Sequence, residues 1–353
     1  MIMVVLATSM NFAGGASLSR SSYPDDRSTA PLRLEAKDAG PVLRHGSAPG
    51  QGDMFGARDV WVYEHGGKYF MTYDAAGPVG WLATLATSDN LTSWTVKGPV
   101  LDLGTSGTDD SASASYGTTY FDGSAWHMFY LGTPNVTPPP DRIPSFPYLT
   151  LKARADAPEG PWIKQYDVVP FRTKPGSYYA DTASPGMIIK KADGEYLQFF
   201  SASTNEGGKT RRTLGIARTR DLAGQWSVSA EPIVPLNEQI ENSSLYFEPS
   251  NSTWFLFTNH IALETNGAEY TDAVWVYWTK DLEKWDAAQK AVVLDANNCS
   301  WSQRCIGLPS VIKVGARLAM FYDGPGGQST SHMHRDVGLA WLDLPLKPPP
   351  PAK

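Results

Sequence analysis

The fold is decided by the stretch Lys68-Tyr-Phe-Met-Thr-Tyr-Asp74, because four more versions of it follow along the chain. The other copies are Ala125–Leu131, Glu195–Ser201, Thr253–Asn259 and Arg317–Asp323. Their second residues, at positions 69, 126, 196, 254 and 318, lie 57, 70, 58 and 64 residues apart. Repeats of this length, each with enough chain for four strands, are typical of β-propellers. We therefore predict an all-β fold, a five-bladed β-propeller with four-stranded antiparallel blades.

A second motif follows each aromatic strand and supports this prediction. It is a further strand that ends in Asp, usually followed by Leu and then by Trp. The copies are Leu85–Leu91 with Trp94, Lys152–Asp156 with Trp162, Ala217–Leu222 with Trp226, Tyr277–Leu282 with Trp285, and Leu339–Leu344. Aspartate at the start of a turn can accept a hydrogen bond from the backbone, so we interpret these residues as structural.

The repeats also set the domain boundaries. We expect a signal peptide or unstructured N-terminus over residues 1–26, a propeller over 27–345 and a Pro-rich tail over 346–353. The last blade lacks a clear fourth strand, so residues 27–55 are expected to close the ring against it. The Pro-rich insert Thr133–Pro147 cannot join a sheet and is predicted to be an extended loop.

Composition excludes several classes of partner. The formal net charge is -6, and the basic residues are scattered, so nucleic acid is not an expected partner. No stretch approaches the ~18 apolar residues of a membrane helix. The apolar run Ile2–Ala7 favours export, so we expect a secreted or periplasmic protein. Cys299 and Cys305 fit either an exported loop disulfide or two free thiols, and nothing in the sequence sets the oligomeric state.

Three acidic residues point to chemistry. Asp59, Asp181 and Glu241 each precede the apolar innermost strand of a blade, in blades one, three and four. Innermost strands converge on the propeller axis, so the three carboxylates are expected to meet there. Carboxylates held close together perturb each other's pKa, which is typical of catalytic sites. Two of them can act as base and acid in glycoside hydrolysis, while the third positions the acid.

With these residues in place, residues 50–345 resemble the five-bladed propeller glycoside hydrolases, most of all family 43 and its relatives. The resemblance implies that Asp59 is the general base, Asp181 the modulator of the acid's pKa, and Glu241 the general acid. It further implies hydrolysis with inversion and substrates such as arabinofuranosides, xylosides or galactosides of plant or microbial polysaccharides.

The chain departs from that family in three places. Asp59 is followed by Val60 where the family has Pro, and Glu241 by Asn-Ser where the family often has Gly-Pro. Blade five offers Arg304 where arabinan-cleaving members place a His. Relatives therefore stay open as alternatives: an anhydro-galactosidase-like enzyme, a fructosidase-like enzyme with a retaining mechanism, or a non-catalytic carbohydrate-binding propeller.

Further residues are candidates for contact with a carbohydrate substrate. Arginines could bind sugar hydroxyls, tryptophans could stack on sugar faces, and a histidine ends one aromatic strand. These residues are Arg58, Trp61, Trp81, His260, Trp301 and Arg304. No metal-ligand motif is present and no cofactor is required, although a structural calcium or sodium ion on the propeller axis fits the resemblance.

Overall fold

The computed structural model describes Tyr23, Arg27 and residues 29–350. Most of the predicted signal peptide and the last three residues of the tail lie outside this part. Within it the structure is all-β, with two 3-10 helices (Pro49–Gln51 and Leu236–Glu238) and no α-helix. None of the described helices is long and apolar enough to cross a membrane.

The strands form successive antiparallel groups. The first group holds β3 (Gly56–His65), β4 (Lys68–Ala76), β5 (Trp81–Ser88) and β6 (Thr95–Pro99). The second holds β7 (Ser113–Phe121), β8 (Trp126–Thr133), β9 (Tyr148–Ala155) and β10 (Ile163–Lys164). The third holds β11 (Thr182–Ser184), β12 (Ile188–Lys190), β13 (Tyr196–Glu206), β14 (Lys209–Thr219) and β15 (Ser227–Val228).

The remaining strands complete the same arrangement. The next group is β16 (Ile240–Glu248), β17 (Thr253–Leu263), β18 (Glu269–Thr279) and β19 (Lys290–Leu294), with β1 (Leu32–Arg33) parallel to β19. The last is β20 (Gly307–Val314), β21 (Arg317–Gly324) and β22 (Asp336–Asp343). The N-terminal strand β2 (Lys37–Leu43) pairs antiparallel with β22, which confirms the predicted pairing of this segment with the last repeat.

The aromatic repeats form the second strand of each group and supply much of the core. The following side chains of these strands are 0–2% exposed: Phe70, Phe129, Phe199, Phe255 and Phe321. Strand alternation sends these side chains between the groups, while intervening positions face the other way. The predicted first strand of the third repeat differs, since it breaks into β11 and β12 at Pro185, which has no N–H to donate to a ladder.

Hydrogen bonds tie the first strands of neighbouring groups to each other. The contacts are Val62 N to Ser310 Oγ, Val311 N to Ser244 Oγ, Met187 N to Ser243 Oγ, Thr118 Oγ1 to Gly186 O, and Thr72 Oγ1 to Gly117 O. Each bond is 2.9–3.1 Å long. The links run from β3 through β20 and β16 to Gly186 and Met187, just before β12, and then through β7 to β4, the second strand of the first group. Side chains at one end of these strands therefore face a common space.

Candidate active site

Backbone bulges shape the end of the first strands that carries the site. The ladders shift register after Arg58, Ala114, Glu241 and Gly307. Just beyond three of these shifts, Asp59, Asn242 and Leu308 have φ of 51°, 63° and 20°. Asp59 therefore corresponds to Asn242, whereas Glu241 corresponds to Arg58. The predicted alignment of Asp59 with Glu241 is off by one residue, because an acid on the bulge and an acid before it look alike in sequence.

Polar side chains at the last position of the aromatic repeat accept hydrogen bonds from the backbone N–H groups of these bulges. Asp323 Oδ2 accepts from Asp59 N at 2.7 Å, and Ser201 Oγ accepts from Asn242 N at 2.8 Å. Asp74 Oδ1 accepts from Tyr116 N at 3.2 Å. A bulge leaves backbone groups without ladder partners, so these contacts satisfy them and fix the bulge.

A cavity of about 310 Å³ lies at this end of the strands. Its charged lining residues are Arg58, Asp59, Asp74, Arg212, Glu241, Glu269 and Arg335, with His332 beside them. Asp59 and Glu241 come from β3 and β16 and line this one cavity, as predicted from their places in the repeats. The volume is at the lower end of the range for small-ligand sites.

The charged neighbours of Asp59 are two arginines, Arg58 and Arg335, and one carboxylate, Asp323. Arg58 donates to both of its oxygens, at 3.0 Å from Nε and 3.3 Å from Nη2. Burial raises the pKa of Asp59 above its ordinary value; Arg58 opposes this shift, and the charge of Asp323 adds to it. A carboxylate whose pKa is raised towards neutral is better suited to accept a proton from water.

Asp74 faces Arg58 across the β3–β4 ladder and also lines the cavity. Burial and the neighbouring charge of Asp59 raise its pKa well above the ordinary value. Burial and the charge of Asp59 therefore both favour the protonated form of Asp74.

Glu241 is held by Arg212, which also binds Glu269. Arg212 Nη1 donates to Glu241 Oε2 at 2.7 Å, and Arg212 Nη2 donates to Glu269 Oε2 at 2.6 Å. Glu241 Oε1 has a single long contact, 3.5 Å from Asn259 Nδ2. Arg212 therefore fixes one oxygen of Glu241 and leaves the other open to a ligand. Arg212 is the fourth residue of β14, near the start of that strand, and its side chain reaches Glu241 at the β16 bulge.

His332 is neutral by geometry. Its Nδ1 lies 3.0 Å from Arg58 Nη1, and a guanidinium can only donate, so Nδ1 accepts and carries no proton. Desolvation and the charges of Arg58, Arg335 and Arg212 lower the pKa of His332 to about 2. His332 thus positions Arg58 from the loop between β21 and β22, at the exposed rim of the cavity.

The Pro-rich insert before β9 forms one wall of the cavity. Ile143, Pro144 and Tyr148 line the cavity, and Trp81 Nε1 donates to Asp141 O at 2.8 Å. The Arg58 guanidinium lies 5.2 Å from the centre of the Trp81 ring. The insert is a loop, as predicted, but it is not extended: it folds back on itself through a bridge between Val136 and Pro144. It covers the Trp81 side of the site.

Arg58 and Trp81 line the cavity among the predicted substrate-binding residues, and four others do not. Trp61 is buried and donates to Thr119 Oγ1, and Trp301 donates to the Tyr322 hydroxyl. Arg304 pairs with Glu264 at 2.6 Å. His260 is fully buried, donates from Nδ1 to Asp272 and is stacked on Trp275 at 4.1 Å.

Asp181 is also absent from the cavity lining. Its backbone bonds to Ser203 O and Tyr148 N, and the cavity residue on this strand is Ser184, three positions later. Ser184 directly precedes the break at Pro185. Its position in the third repeat is therefore equivalent to that of Arg58 in the first repeat and of Glu241 in the fourth.

Cys299 and Cys305 are buried free thiols. Of the two interpretations of the sequence, the structure therefore agrees with two free thiols and not with a loop disulfide. Within residues 29–350, Tyr23 and Arg27, no group of three or more His, Cys, Asp or Glu side chains could hold a metal ion.

The sequence matches no protein-family model and no curated protein. Solved structures do match its fold. A structure described as a glycoside hydrolase has a TM-score of 0.68 and 15% identity, over 90% of this chain and 96% of its own. The chain has the fold of propeller glycoside hydrolases.

Two further matches extend this likeness. The catalytic domain of the Coprinopsis cinerea GH62 α-L-arabinofuranosidase has a TM-score of 0.61 and 12% identity, over 88% of this chain and 98% of its own. A thermostable family-43 glycoside hydrolase has a TM-score of 0.58 and 14% identity, over 85% and 96%. These identities are low, so the likeness concerns the fold.

Sequence reasoning missed several residues that complete the site: Asp74, Arg212, Glu269, Asp323, His332 and Arg335. Asp74 and Asp323 end two copies of the aromatic repeat, where the other copies end in Leu131, Ser201 and Asn259. A polar residue at the last position of the repeat was therefore the signal. Arg212 and Glu269 gave none, since each looks like an ordinary charged residue at the edge of a strand.

Proposed function

We propose that the chain is a glycoside hydrolase built as a five-bladed β-propeller of four-stranded blades. The successive antiparallel groups and the hydrogen bonds that link their first strands support the blade assignment. Innermost strands of such a ring end at one shared cavity, and this cavity holds the two carboxylates. The observation that carries the proposal is that Asp59 and Glu241 line one 310 Å³ cavity, each beside an arginine.

Asp59 acts as the general base in this proposal. Its backbone is fixed by the bulge and by Asp323, and its side chain is oriented by Arg58. A water molecule between Asp59 and the anomeric carbon loses its proton to Asp59 as it attacks. Asp74 keeps its own proton and so does not compete for that of the water.

Glu241 acts as the general acid and delivers a proton to the leaving oxygen. Arg212 contacts Oε2, so a proton on Oε1 is compatible with that hydrogen bond, because Oε2 of a protonated carboxyl still accepts. Arg212, with Glu269, orients the acid in this proposal, which is the role that the resemblance implied for Asp181. The bond between sugar and leaving oxygen breaks as the new bond to water forms, with inversion.

The proposed substrates are those that the resemblance to family 43 implies: terminal arabinofuranosides, xylosides or galactosides of a polysaccharide or oligosaccharide. Arabinofuranosides have additional support, because two of the solved structures similar in fold are described as α-L-arabinofuranosidases. A panel of nitrophenyl glycosides tests the activity. The wild-type protein should hydrolyse at least one, and Asp59→Ala and Glu241→Ala should each lower kcat/KM by orders of magnitude. Unchanged rates in both variants would overturn the site assignment.

A non-catalytic carbohydrate-binding site is the second candidate, favoured by the ion pairs that Asp59 and Glu241 make with Arg58 and Arg212. In that case the same panel would bind without turnover.

A further inference from the structure

A second cavity of about 280 Å³ lies on blade two, away from the active cavity. Tyr130, Leu151, Lys152, Gln165, Tyr166 and Arg172 are among its lining residues, and none of its lining residues lines the first cavity. Tyr130 faces this second cavity whereas the next residue, Leu131, faces the first. Successive residues of a strand point to opposite faces, so the two cavities lie on opposite faces of β8.

Lys152 is the unusual member of this lining. Only 1% of it is exposed, and its Nζ donates to Gln165 Oε1 at 2.6 Å. An ammonium has three donors, and among the described residues Lys152 makes no ion pair within 4.0 Å. Burial lowers its pKa to about 8, as expected for a cation without a close counter-ion.

The rest of the lining does not neutralise this charge. Arg172 pairs with Asp109 at 2.7 Å, so these two lining residues compensate each other. Lys152 is then the excess cation of the cavity. A buried cation whose only close partner is a neutral amide is costly unless an anion joins it.

The same cavity presents surface suited to a sugar. Tyr166 is 54% exposed and offers an aromatic face beside the cavity, and aromatic rings pack well against the C–H face of a sugar. The Gln165 amide accepts from Lys152 through Oε1, which leaves its N–H donors beside the same ammonium.

We propose that this cavity binds the carboxylate of an acidic monosaccharide, a hexuronate, at Lys152 and the Gln165 amide, with the sugar ring against Tyr166. Such a site would hold an acidic glycan at a distance from the active cavity. It adds a binding function to the proposed hydrolase and does not depend on it.

Calorimetric titration with galacturonate, galactose and acetate tests the proposal. The wild-type protein should bind galacturonate at least about tenfold more tightly than either of the other two, since only galacturonate has both the charge and the ring. Lys152→Met keeps the length of the side chain and removes the charge, so it should abolish this preference. Lys97→Met removes an exposed lysine of β6 and should leave binding unchanged.

Hydrolysis of the nitrophenyl substrate should be the same in both lysine variants, which separates this site from the active cavity. Tyr166→Ala changes an exposed position and should weaken galacturonate binding severalfold, whether or not the buried Lys152→Met variant folds. The proposal is overturned if the wild type binds galacturonate no better than galactose or acetate, or if a folded Lys152→Met or Tyr166→Ala variant binds it as the wild type does.

Discussion

The division of labour between Asp59 and Glu241 predicts how each variant should respond to the leaving group. In the native protein Arg212 Nη1 donates to Glu241 Oε2 at 2.7 Å. The Glu241→Gln side chain has nearly the same shape, and its amide oxygen can still accept this hydrogen bond. The variant therefore loses the proton donor and little else. General acid catalysis contributes about 10²–10⁴-fold, so kcat/KM should fall by this factor, or about 3–5 kcal/mol, for a poor leaving group.

The assay compares glycosides of methylumbelliferone and dinitrophenol. Dinitrophenolate leaves without protonation, so the deficit of Glu241→Gln should shrink to within about tenfold on that substrate. Asp59→Asn should instead lose activity equally on both, because activation of water is needed whatever the leaving group. If Asp59→Asn is the variant that the better leaving group restores, the two roles are reversed. Equal, large deficits of Glu241→Gln on both substrates would refute an acid role.

Three further outcomes follow from other parts of the structure. Asp181→Ala should change kcat/KM by less than about threefold, as for substitutions outside a site, and a loss of a hundredfold or more in steady-state kinetics would restore its role as modulator. Asp323→Asn leaves the buried Arg335 guanidinium, 2.7 Å away and 1% exposed, without its carboxylate; urea unfolding should show a loss of about 3–5 kcal/mol, and a change near zero would contradict the buried pair. Hydrogen bonds from Lys164 and Thr108 hold the pKa of Asp110 below its ordinary value, although burial alone would raise it. Its contribution to stability is therefore present above about pH 4 and lost as pH falls further, so Asp110→Asn should be less sensitive to acid than the wild type in unfolding measured between pH 7 and pH 3.

The repeat predicted the strands well because it is a core pattern. Buried aromatic residues such as Phe70 and Phe255 must recur wherever a sheet packs on its neighbour, so spacing alone reveals the second strand of each group. The short outer strands were harder to place. β10 and β15 have two residues each, and edge strands need little apolar pattern.

The site was predicted only in part, and the reason is backbone geometry. A bulge moves Asp59 by one position relative to Glu241, and nothing in the local sequence marks the positive φ of Asp59 or Asn242. Asp181 was taken as the third acid because it precedes an apolar strand, whereas Ser184, three positions later, is the residue that reaches the cavity.

The arginines escaped prediction for another reason. Arg212 reaches Glu241 from a different strand, 29 residues earlier in the chain. Arg335 reaches Asp323 from the loop residue just before β22. The first pair depends on how neighbouring groups of strands are placed next to each other, and the second on the path of the loop between β21 and β22. Polarity at the last position of the aromatic repeat was the one readable sign, since Asp74 and Asp323 both stand there.

The stereochemistry of hydrolysis tests the central claim most directly, namely that Asp59 activates water with no covalent intermediate. Proton NMR recorded within the first minutes of turnover, before mutarotation, identifies the anomer that is released. The account predicts the inverted anomer from the wild-type protein and none from Asp59→Asn. A retained anomer would make Asp59 or Glu241 a nucleophile and contradict the mechanism proposed for this cavity.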